Sequence, residues 1–318
     1  MNKLILPFTR NCFNNHMGMW LIEPMFFTKA FQAVKAGLMP KLKSWDESDQ
    51  DDAIEKKMAS VTTFKNESGQ DEQRMYQTAG NIAVIGMFGP MMKAESKWGD
   101  TCSTIATRQA LRQTVRDPEV SASLIIMDSP GGTVAGTEEL ANDIASVSSK
   151  KPVHAHVEDM CASACMWAAS QCESVSANAT GLIGSLGTLS VVEDTSKKME
   201  MEGTKVYVIS TGPIKGAFTD GAPVTDAQLN YLQGIVNDTN DFFMRAVASG
   251  RKMDIRSVRN AATGEMYMAN KAKEIGLIDH VRSADDTLLS MNKSFGKKSA
   301  SKAQVTGIDA RLRLAKYF

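Results

Sequence analysis

The chain lacks any run of 18 consecutive apolar residues, and it lacks an excess of charge of either sign. The first absence predicts that no segment spans a membrane. Lysine plus arginine and aspartate plus glutamate number 36 each, so nothing overall favours nucleic acid or an anionic membrane surface. The first ten residues are interrupted by Pro7 and Arg10 and show neither a signal-peptide core nor a small-residue cleavage site. We therefore expect a cytoplasmic, soluble protein with no nucleic-acid partner and no stable membrane insertion.

Cysteine and histidine are also scarce, with five and four residues in 318. The cysteines are odd in number and lack regular pairing; they are Cys12, Cys102, Cys161, Cys165 and Cys172. The last three fall on one helical stripe, which is typical of buried small side chains in a reducing compartment rather than of a disulfide framework. No Cys-x-x-Cys pair accompanies the histidines, and no Gly-x-x-x-x-Gly-Lys segment occurs. We expect neither a metal nor a cofactor.

The remaining composition is that of a folded protein, since 43% of the residues are hydrophobic and the chain is long enough to bury a full core. Residues 1–75 are predicted to form an N-terminal arm, with an amphipathic helix at 23–38 followed by an exposed polar linker. Residues 76–284 are predicted to form one domain. Residues 285–318 are predicted to be a basic, low-complexity tether and a short tail.

From residue 82 onward, apolar runs alternate with amphipathic stretches. The pattern predicts strands at 81–90, 122–127, 153–157, 174–177, 188–192 and 205–209. It predicts helices at 103–116, 194–202 and 225–249, and a capping box opens the last of these. It also predicts one helix that follows Gly132 and ends at 147, and another that begins at 163. Strands that alternate with helices predict an α/β fold with a parallel sheet covered by helices.

The stretch from Met160 to Ser170 consists almost entirely of small and apolar residues and follows a predicted strand. In its first half, Ser163 is the one side chain that carries an oxygen. A strand that turns into a helix leaves the first N–H groups of the helix unpaired, and the helix dipole favours negative charge there. Ser163 is therefore either a nucleophile placed to become an alkoxide or an ordinary helix N-cap before a buried helix.

An activated serine needs a site for the oxyanion as well as a base. The segment Asp128-Ser-Pro-Gly-Gly132 ends a predicted strand and opens a helix, where α/β sheets place their ligands. Its two glycines let backbone N–H groups approach a substrate oxygen without an intervening Cβ. The same segment is also compatible with a plain strand-to-helix turn.

Two kinds of base are available to the serine. His154 and His156 point to one face of the preceding strand, where a structural or exposed histidine is the favoured interpretation. Lys215 lies in a glycine-bounded loop with no carboxylate until Asp220. A lysine acts as a base near neutral pH only when burial or nearby positive charge lowers its pKa, and the alternative here is a surface lysine. Ser185 is a candidate to orient the amine, or else a turn serine.

Six segments, in this order, resemble the signal peptide peptidase A family of Ser-Lys peptidases. They are Asp128-Ser-Pro-Gly-Gly132, Cys161-Ala-Ser-Ala-Cys165, Thr180-Gly-Leu-Ile-Gly-Ser-Leu-Gly187, Ser210-Thr-Gly-Pro-Ile-Lys215, Gly264-Glu-Met-Tyr267 and Ala272-Lys-Glu-Ile-Gly-Leu-Ile-Asp279. The segment Glu23-Pro-Met-Phe-Phe27 and the lack of a membrane anchor are more similar to the phage branch, the capsid assembly (prohead) proteases. Residues 164–167 depart from the family pattern, which concerns the substrate pocket more than the chemistry.

The resemblance implies a ClpP/crotonase-like fold and a Ser-Lys endopeptidase that forms ring-like homo-oligomers, with sites near subunit contacts. The roles that it implies are Ser163 as nucleophile, Lys215 as general base, Ser185 as the group that orients the lysine, and Gly131, Gly132 and Ala164 as the oxyanion hole. In the phage branch it implies cleavage of scaffold, portal or coat proteins inside assembling proheads. Two alternatives stay open: a cellular peptidase that clears signal-peptide fragments, and an assembly factor of the same fold whose site has decayed.

Overall fold

The computed structural model describes residues 20–22, 62–66, 68–94 and 101–296. Its strands are β1 (Trp20–Ile22), β2 (Thr63–Lys65), β3 (Asp71–Gln73), β4 (Gln77–Ala79), β5 (Ile82–Phe88), β6 (Met91–Met92), β7 (Cys102–Ser103), β8 (Ala122–Ser129), β9 (Gly131–Thr133), β10 (Val153–Ala162), β11 (Ser174–Ala177), β12 (Leu182–Gly184), β13 (Met266–Met268) and β14 (His280–Val281). Its helices are α1 (Thr104–Arg116), α2 (Thr137–Ser148), α3 (Ala164–Ala169), α4 (Ser196–Met201), α5 (Asp226–Gly250), α6 (Ile255–Ala261), α7 (Ala269–Glu274) and α8 (Ala284–Phe295). The predicted helix at 23–38 lies outside the described residues.

The main sheet has eight strands and is parallel through its centre. Six strands run in the order β13-β12-β10-β8-β5-β4, while β11 pairs with β10 and β14 pairs with β11. β8 lies between β5 and β10 and is parallel to both. Antiparallel pairing occurs between β4 and β5 and between β12 and β13. The predicted α/β fold with a parallel, helix-covered sheet is confirmed. The reason is visible in β8, which is buried along almost its whole length, as parallel strands are.

Both faces of the sheet are covered, because successive side chains of each strand point in opposite directions. On one face, Ile125 and Met127 belong to a large core that includes side chains of α1, α2 and α3. On the other face, Leu124 and Ile126 pack with Leu288 of α8. Helix α8 contacts β5, β8 and β10. The folded domain therefore continues past residue 284, where a tether was predicted, because the apolar side of α8 closes this second face.

The residues before the sheet are also more ordered than the predicted linker. β2 and β3 pair as a hairpin, and Phe64 in β2 is only 3% exposed. After the hairpin, the guanidinium of Arg74 and the hydroxyl of Tyr76 both donate to Asp117 Oδ2 at 2.7 Å. Asp117 is fully buried at the end of α1, so this ion pair fixes the hairpin to the domain. The expected exposed linker thus ends before residue 62 in the described structure.

A second, smaller sheet lies beside the first, in the order β1-β9-β6-β7. β9 is its second strand, with β1 antiparallel on one edge and β6 parallel on the other. The approach of β6 requires glycine at 132, because a Cβ there would lie 1.8 Å from the carbonyl oxygen of Met91. β9 also contacts α3. The second sheet therefore holds the Gly131–Gly132 segment against the helix that follows Ser163.

Residues 188–242, which we call the exposed segment, behave differently from the sheet. Among them, only Gly221 and Ala222 are buried. The predicted helix at 194–202 is confirmed as α4, and the capping box of α5 forms at Thr225. The strands predicted at 188–192 and 205–209 are wrong. Residues 188–192 contain only an isolated β-bridge at Leu189 and are mostly half-buried. The apolar residues at 205–209 find no partner strand within the described chain, so they remain irregular and mostly exposed.

Candidate active site

Ser163 lies at the junction between the central strand β10 and the short helix α3. β10 continues to Ala162, beyond the predicted end at 157, and α3 begins at Ala164. The backbone of Ser163 has φ 53° and ψ −115°, a conformation that residues with a Cβ avoid and that is typical of functional sites. Its hydroxyl donates to the carbonyl oxygen of Gly187 at 3.4 Å and does not cap the helix. The ordinary N-cap interpretation is therefore not supported.

Ser185 is brought next to Ser163 by the pairing of β12 with β10. The register places Gly184 opposite Ala162, and the N–H of Ser163 donates to the carbonyl oxygen of Gly184 at 2.9 Å. Ser185 also has a positive φ, 50°, and is 3% exposed. The sequence predicted a strand after Ser185, at 188–192, whereas the observed strand β12 ends before it, at Gly184. Ser185 consequently follows the carboxyl end of its strand, as Ser163 does, and the two serines share one edge of the sheet.

The three residues predicted to form the oxyanion hole lie at the same end of the sheet, but the surroundings of their backbones differ. The N–H of Gly131 donates to Ser129 Oγ at 3.2 Å, and Gly131 has φ 92°. Gly132 lies directly against β6, as described above. Ala164 is the first residue of α3, so its N–H has no acceptor within the helix. Sequence analysis missed the role of Ser129, whose hydroxyl also donates to the carbonyl oxygen of Gly89 at 2.7 Å and thereby fixes this turn.

Two cysteines flank the nucleophile candidate. The thiols of Cys161 and Cys165 are fully buried and share a hydrogen bond of 3.3 Å. That hydrogen bond and burial raise the pKa of Cys165 well above its ordinary value. Because the reactive form of cysteine is the thiolate, a neutral buried thiol does not compete with Ser163 as the nucleophile. The expectation of burial is confirmed for Cys161, Cys165 and Cys172, none of which forms a disulfide bond in the described residues.

The structure removes both histidines from the list of bases. His156 is fully buried and its Nδ1 lies 3.1 Å from Thr287 Oγ1 of α8, on the face of the sheet that α8 covers. Burial lowers the pKa of His156 to about 4. The ring of His154 contacts that of Phe295, also in α8, edge to face. Both histidines therefore have a structural role beneath α8, and neither contacts Ser163.

Lys215 lies in a turn of the exposed segment, and its side chain is exposed. The turn is closed by the N–H of Lys215, which donates to the carbonyl oxygen of Gly212 at 3.1 Å. The hydroxyl of Ser163 bonds to Gly187 and not to Lys215. The expectation of a buried amine at 215 is thus wrong for the single chain, because the exposed segment offers no interior to bury it.

Two further properties of the described residues concern metal binding and membrane insertion. No group of three or more histidine, cysteine, aspartate or glutamate side chains is placed there to bind a metal ion. Among the same residues, no helix is both long enough and apolar enough to cross a bilayer.

Residues 145–298 match the profile of Peptidase family S49. A protein of Methanocaldococcus jannaschii named as a candidate protease is 30% identical over 173 residues, which cover 54% of this chain and 56% of the relative. Capsid assembly protease C of Escherichia phage lambda is 26% identical over 256 residues, 79% of this chain and 57% of the relative. The chain thus spans little more than half the length of these two relatives. A ClpP1 variant from Listeria monocytogenes is similar with a TM-score of 0.43 and 11% identity, over 64% of this chain and 94% of that chain.

Proposed function

Because residues 145–298 match Peptidase family S49, we propose that the chain is a serine endopeptidase of this family in which Ser163 is the nucleophile and Lys215 the general base. The observation that carries the proposal is the backbone at Ser163, which has a positive φ at the end of the central strand and a hydroxyl that does not cap its helix. Strain of this kind persists where function maintains it. Ser185 and the glycines of β9 surround the same edge, in agreement with the roles expected of them.

The reaction follows from these positions. Ser163 Oγ adds to the carbonyl carbon of the scissile bond while its proton passes to Lys215 Nζ. The N–H groups of Gly131 or Gly132 and of Ala164 stabilise the oxyanion. The C–N bond then breaks as the lysine returns the proton to the leaving amine. A water molecule adds to the acyl carbon, Lys215 takes its proton, and the ester C–O bond breaks to regenerate the serine.

The lysine is proposed to act on a neighbouring copy of the chain. Lys215 is exposed in the single chain, within a segment that displays eight large apolar side chains; they are Val191, Met201, Tyr207, Val208, Ile209, Leu229, Tyr231 and Phe242. Contiguous exposed apolar side chains mark interaction surfaces. A lysine accepts the serine proton only as a neutral amine, and burial between two chains would supply the desolvation that this form requires. A ring-like homo-oligomer satisfies both requirements.

The substrates are proposed to be proteins of a phage capsid, namely scaffold, portal or coat proteins. The name of the phage lambda relative, a capsid assembly protease, supports this class. Fragments of signal peptides are the second candidate, because another relative, from Enterococcus faecium, carries a signal peptide peptidase name. Incubation with the scaffold and coat proteins encoded beside the chain's gene distinguishes the two candidates. Discrete cuts by wild type and none by Ser163→Ala would favour the capsid role.

The dyad is tested by Ser163→Ala and Lys215→Ala, with a serine-directed fluorophosphonate as an independent probe. We expect each variant to lose at least about a thousandfold in kcat for peptide cleavage and to keep its circular dichroism spectrum. The probe should label Ser163 in the wild type and nothing in Ser163→Ala. Full activity in either variant would refute the dyad. Absence of both labelling and cleavage in the wild type would instead favour a decayed assembly factor.

Mixing the two inactive variants tests whether the dyad spans two chains. After subunit exchange at equal concentration, one in four neighbouring pairs joins an intact Ser163 to an intact Lys215, so about a quarter of wild-type activity should return. The matched control mixes Lys215→Ala with the double variant Ser163→Ala/Lys215→Ala, which should stay inactive. If the mixture stays inactive although both variants are oligomeric, the dyad does not span two chains.

A further inference from the structure

The small sheet places three residues of the N-terminal part of the chain beside the proposed oxyanion hole. β1 pairs antiparallel with β9, with Trp20 opposite Thr133, Leu21 opposite Gly132 and Ile22 opposite Gly131. These pairings fix both the direction and the register of β1. The backbone of Trp20–Ile22 therefore runs past both glycines that are assigned to the oxyanion hole.

Strand β9 has two edges, and only the outer one, which pairs with β1, could exchange its partner for a peptide. The inner edge is closed by β6, whose Met91 carbonyl oxygen leaves no room even for a Cβ at Gly132. Proteins that bind extended peptides commonly do so by adding the peptide as a strand to an exposed sheet edge. If a substrate is to reach Ser163 across Gly131 and Gly132, it has to lie along the outer edge. That is the edge that β1 already holds.

On the premise of the proposed peptidase function, we infer that the outer edge of β9 is the substrate-binding edge and that Trp20–Ile22 occupies it as an internal competitor. The substrate class is then an extended polypeptide that pairs antiparallel with Gly131–Thr133. Because an edge accepts one strand at a time, β1 and the substrate exclude each other. Substrate binds the fraction of molecules in which β1 has left, so the apparent affinity for substrate is reduced by that fraction.

The test weakens the β1 backbone in the full-length chain. Successive N–H groups of a strand point to opposite edges, so Leu21→Pro/Ile22→Pro removes one N–H from the ladder whichever residue donates it. We expect this variant to lower KM for an unstructured peptide substrate by about tenfold, with kcat unchanged. The matched variant Leu21→Ala/Ile22→Ala keeps both N–H groups. Its KM should stay closer to that of the wild type than to that of the proline variant.

A second arm restores the competitor in trans. A synthetic peptide with the sequence of residues 17–25 should inhibit the proline variant competitively, raising KM and leaving kcat unchanged, while a scrambled peptide should not. Equal KM values for the wild type and the proline variant, in preparations that both cleave substrate, would overturn this inference and leave the peptidase proposal intact. If neither preparation cleaves peptide and the fluorophosphonate labels no Ser163, the peptidase proposal itself fails.

Discussion

Ser163 and Ser185 both have a positive φ, which a side chain with a Cβ makes costly. Their φ values are 53° and 50°, and they follow paired residues of two parallel strands. Each such residue costs about 1 kcal/mol relative to an ordinary conformation. Two strained residues lie next to each other at the carboxyl ends of the strands. This indicates that the placement of their hydroxyls serves function at the expense of local stability.

Ser185 allows the two contributions, hydroxyl and strain, to be separated. Ser185→Ala removes the hydroxyl and keeps the strain, whereas Ser185→Gly removes both. If Ser185 orients the lysine as proposed, we expect kcat to fall by about 10- to 100-fold in both variants, with KM unchanged. The glycine variant should be at least as stable as the alanine variant, because glycine tolerates positive φ. Peptide hydrolysis and urea unfolding measure the two effects, and wild-type kcat in both variants would remove Ser185 from the mechanism.

At this scale, sequence analysis located what depends on local chain geometry. Ser163 follows a predicted strand, so its position at the carboxyl end of the sheet follows from the parallel topology. Ser185 was predicted to precede a strand, and only the pairing of β12 with β10 places it after one, beside Ser163. The acceptor of the Ser163 hydroxyl, the carbonyl oxygen of Gly187, is a backbone atom that no residue type identifies. The exposure of Lys215 was not predictable either, because the glycine-bounded loop around it carries no residue pattern that distinguishes a buried amine from a surface one.

At the scale of elements, the contact between strand β10 and helix α8 links stability to pH. His156 lies beneath α8 with Thr287 within hydrogen-bond reach, and Asn178 and Arg282 are its other polar neighbours. Burial lowers the pKa of His156 from 6.5 to about 4. Between pH 6.5 and about pH 4, His156 therefore binds a proton in the unfolded chain but not in the folded chain. The free energy of unfolding is highest above pH 6.5 and falls as the pH drops toward 4.

We expect the His156 contribution to the free energy of unfolding to fall by about 2 kcal/mol between pH 7 and pH 5. Urea unfolding of the wild type and of His156→Gln at both pH values measures it, since glutamine retains a polar side chain but does not titrate. The wild type should lose more stability than the variant over this interval. Parallel losses would mean that His156 gains water or a partner on acidification, and that α8 does not depend on its neutral form.

The predictions for elements succeeded where the signal was local and failed where it depended on a partner. Ser103 accepts from the N–H of Ala106, and Thr225 and Gln228 form a reciprocal capping box, so α1 and α5 begin close to where the sequence predicts. The apolar run at 205–209 has the composition of a strand but no neighbour to pair with in the described chain. Strand formation requires such a neighbour, whereas helix capping does not.

For the whole molecule, the exposed segment sets the last expectation, which is oligomeric state. Ile209 is 98% exposed, so nothing in the described part of the chain covers its apolar side chain. If it packs against a second copy, Ile209→Asp should shift the sedimentation mass toward 34.6 kDa and reduce peptidase activity in parallel. The melting temperature of the variant monomer should equal that of the wild-type monomer, because exposed positions contribute little to folding.

Met75→Asp is the matched control, since it places the same charge on an apolar side chain that is 48% exposed but lies outside the exposed segment. It should keep both the wild-type mass and the wild-type activity. If Ile209→Asp retains full activity as a monomer, then Lys215 has to reach Ser163 within one chain. The exposed segment would then have to fold back across the sheet edge, and the apolar residues around Ile209 would line the path of the substrate instead of a subunit contact.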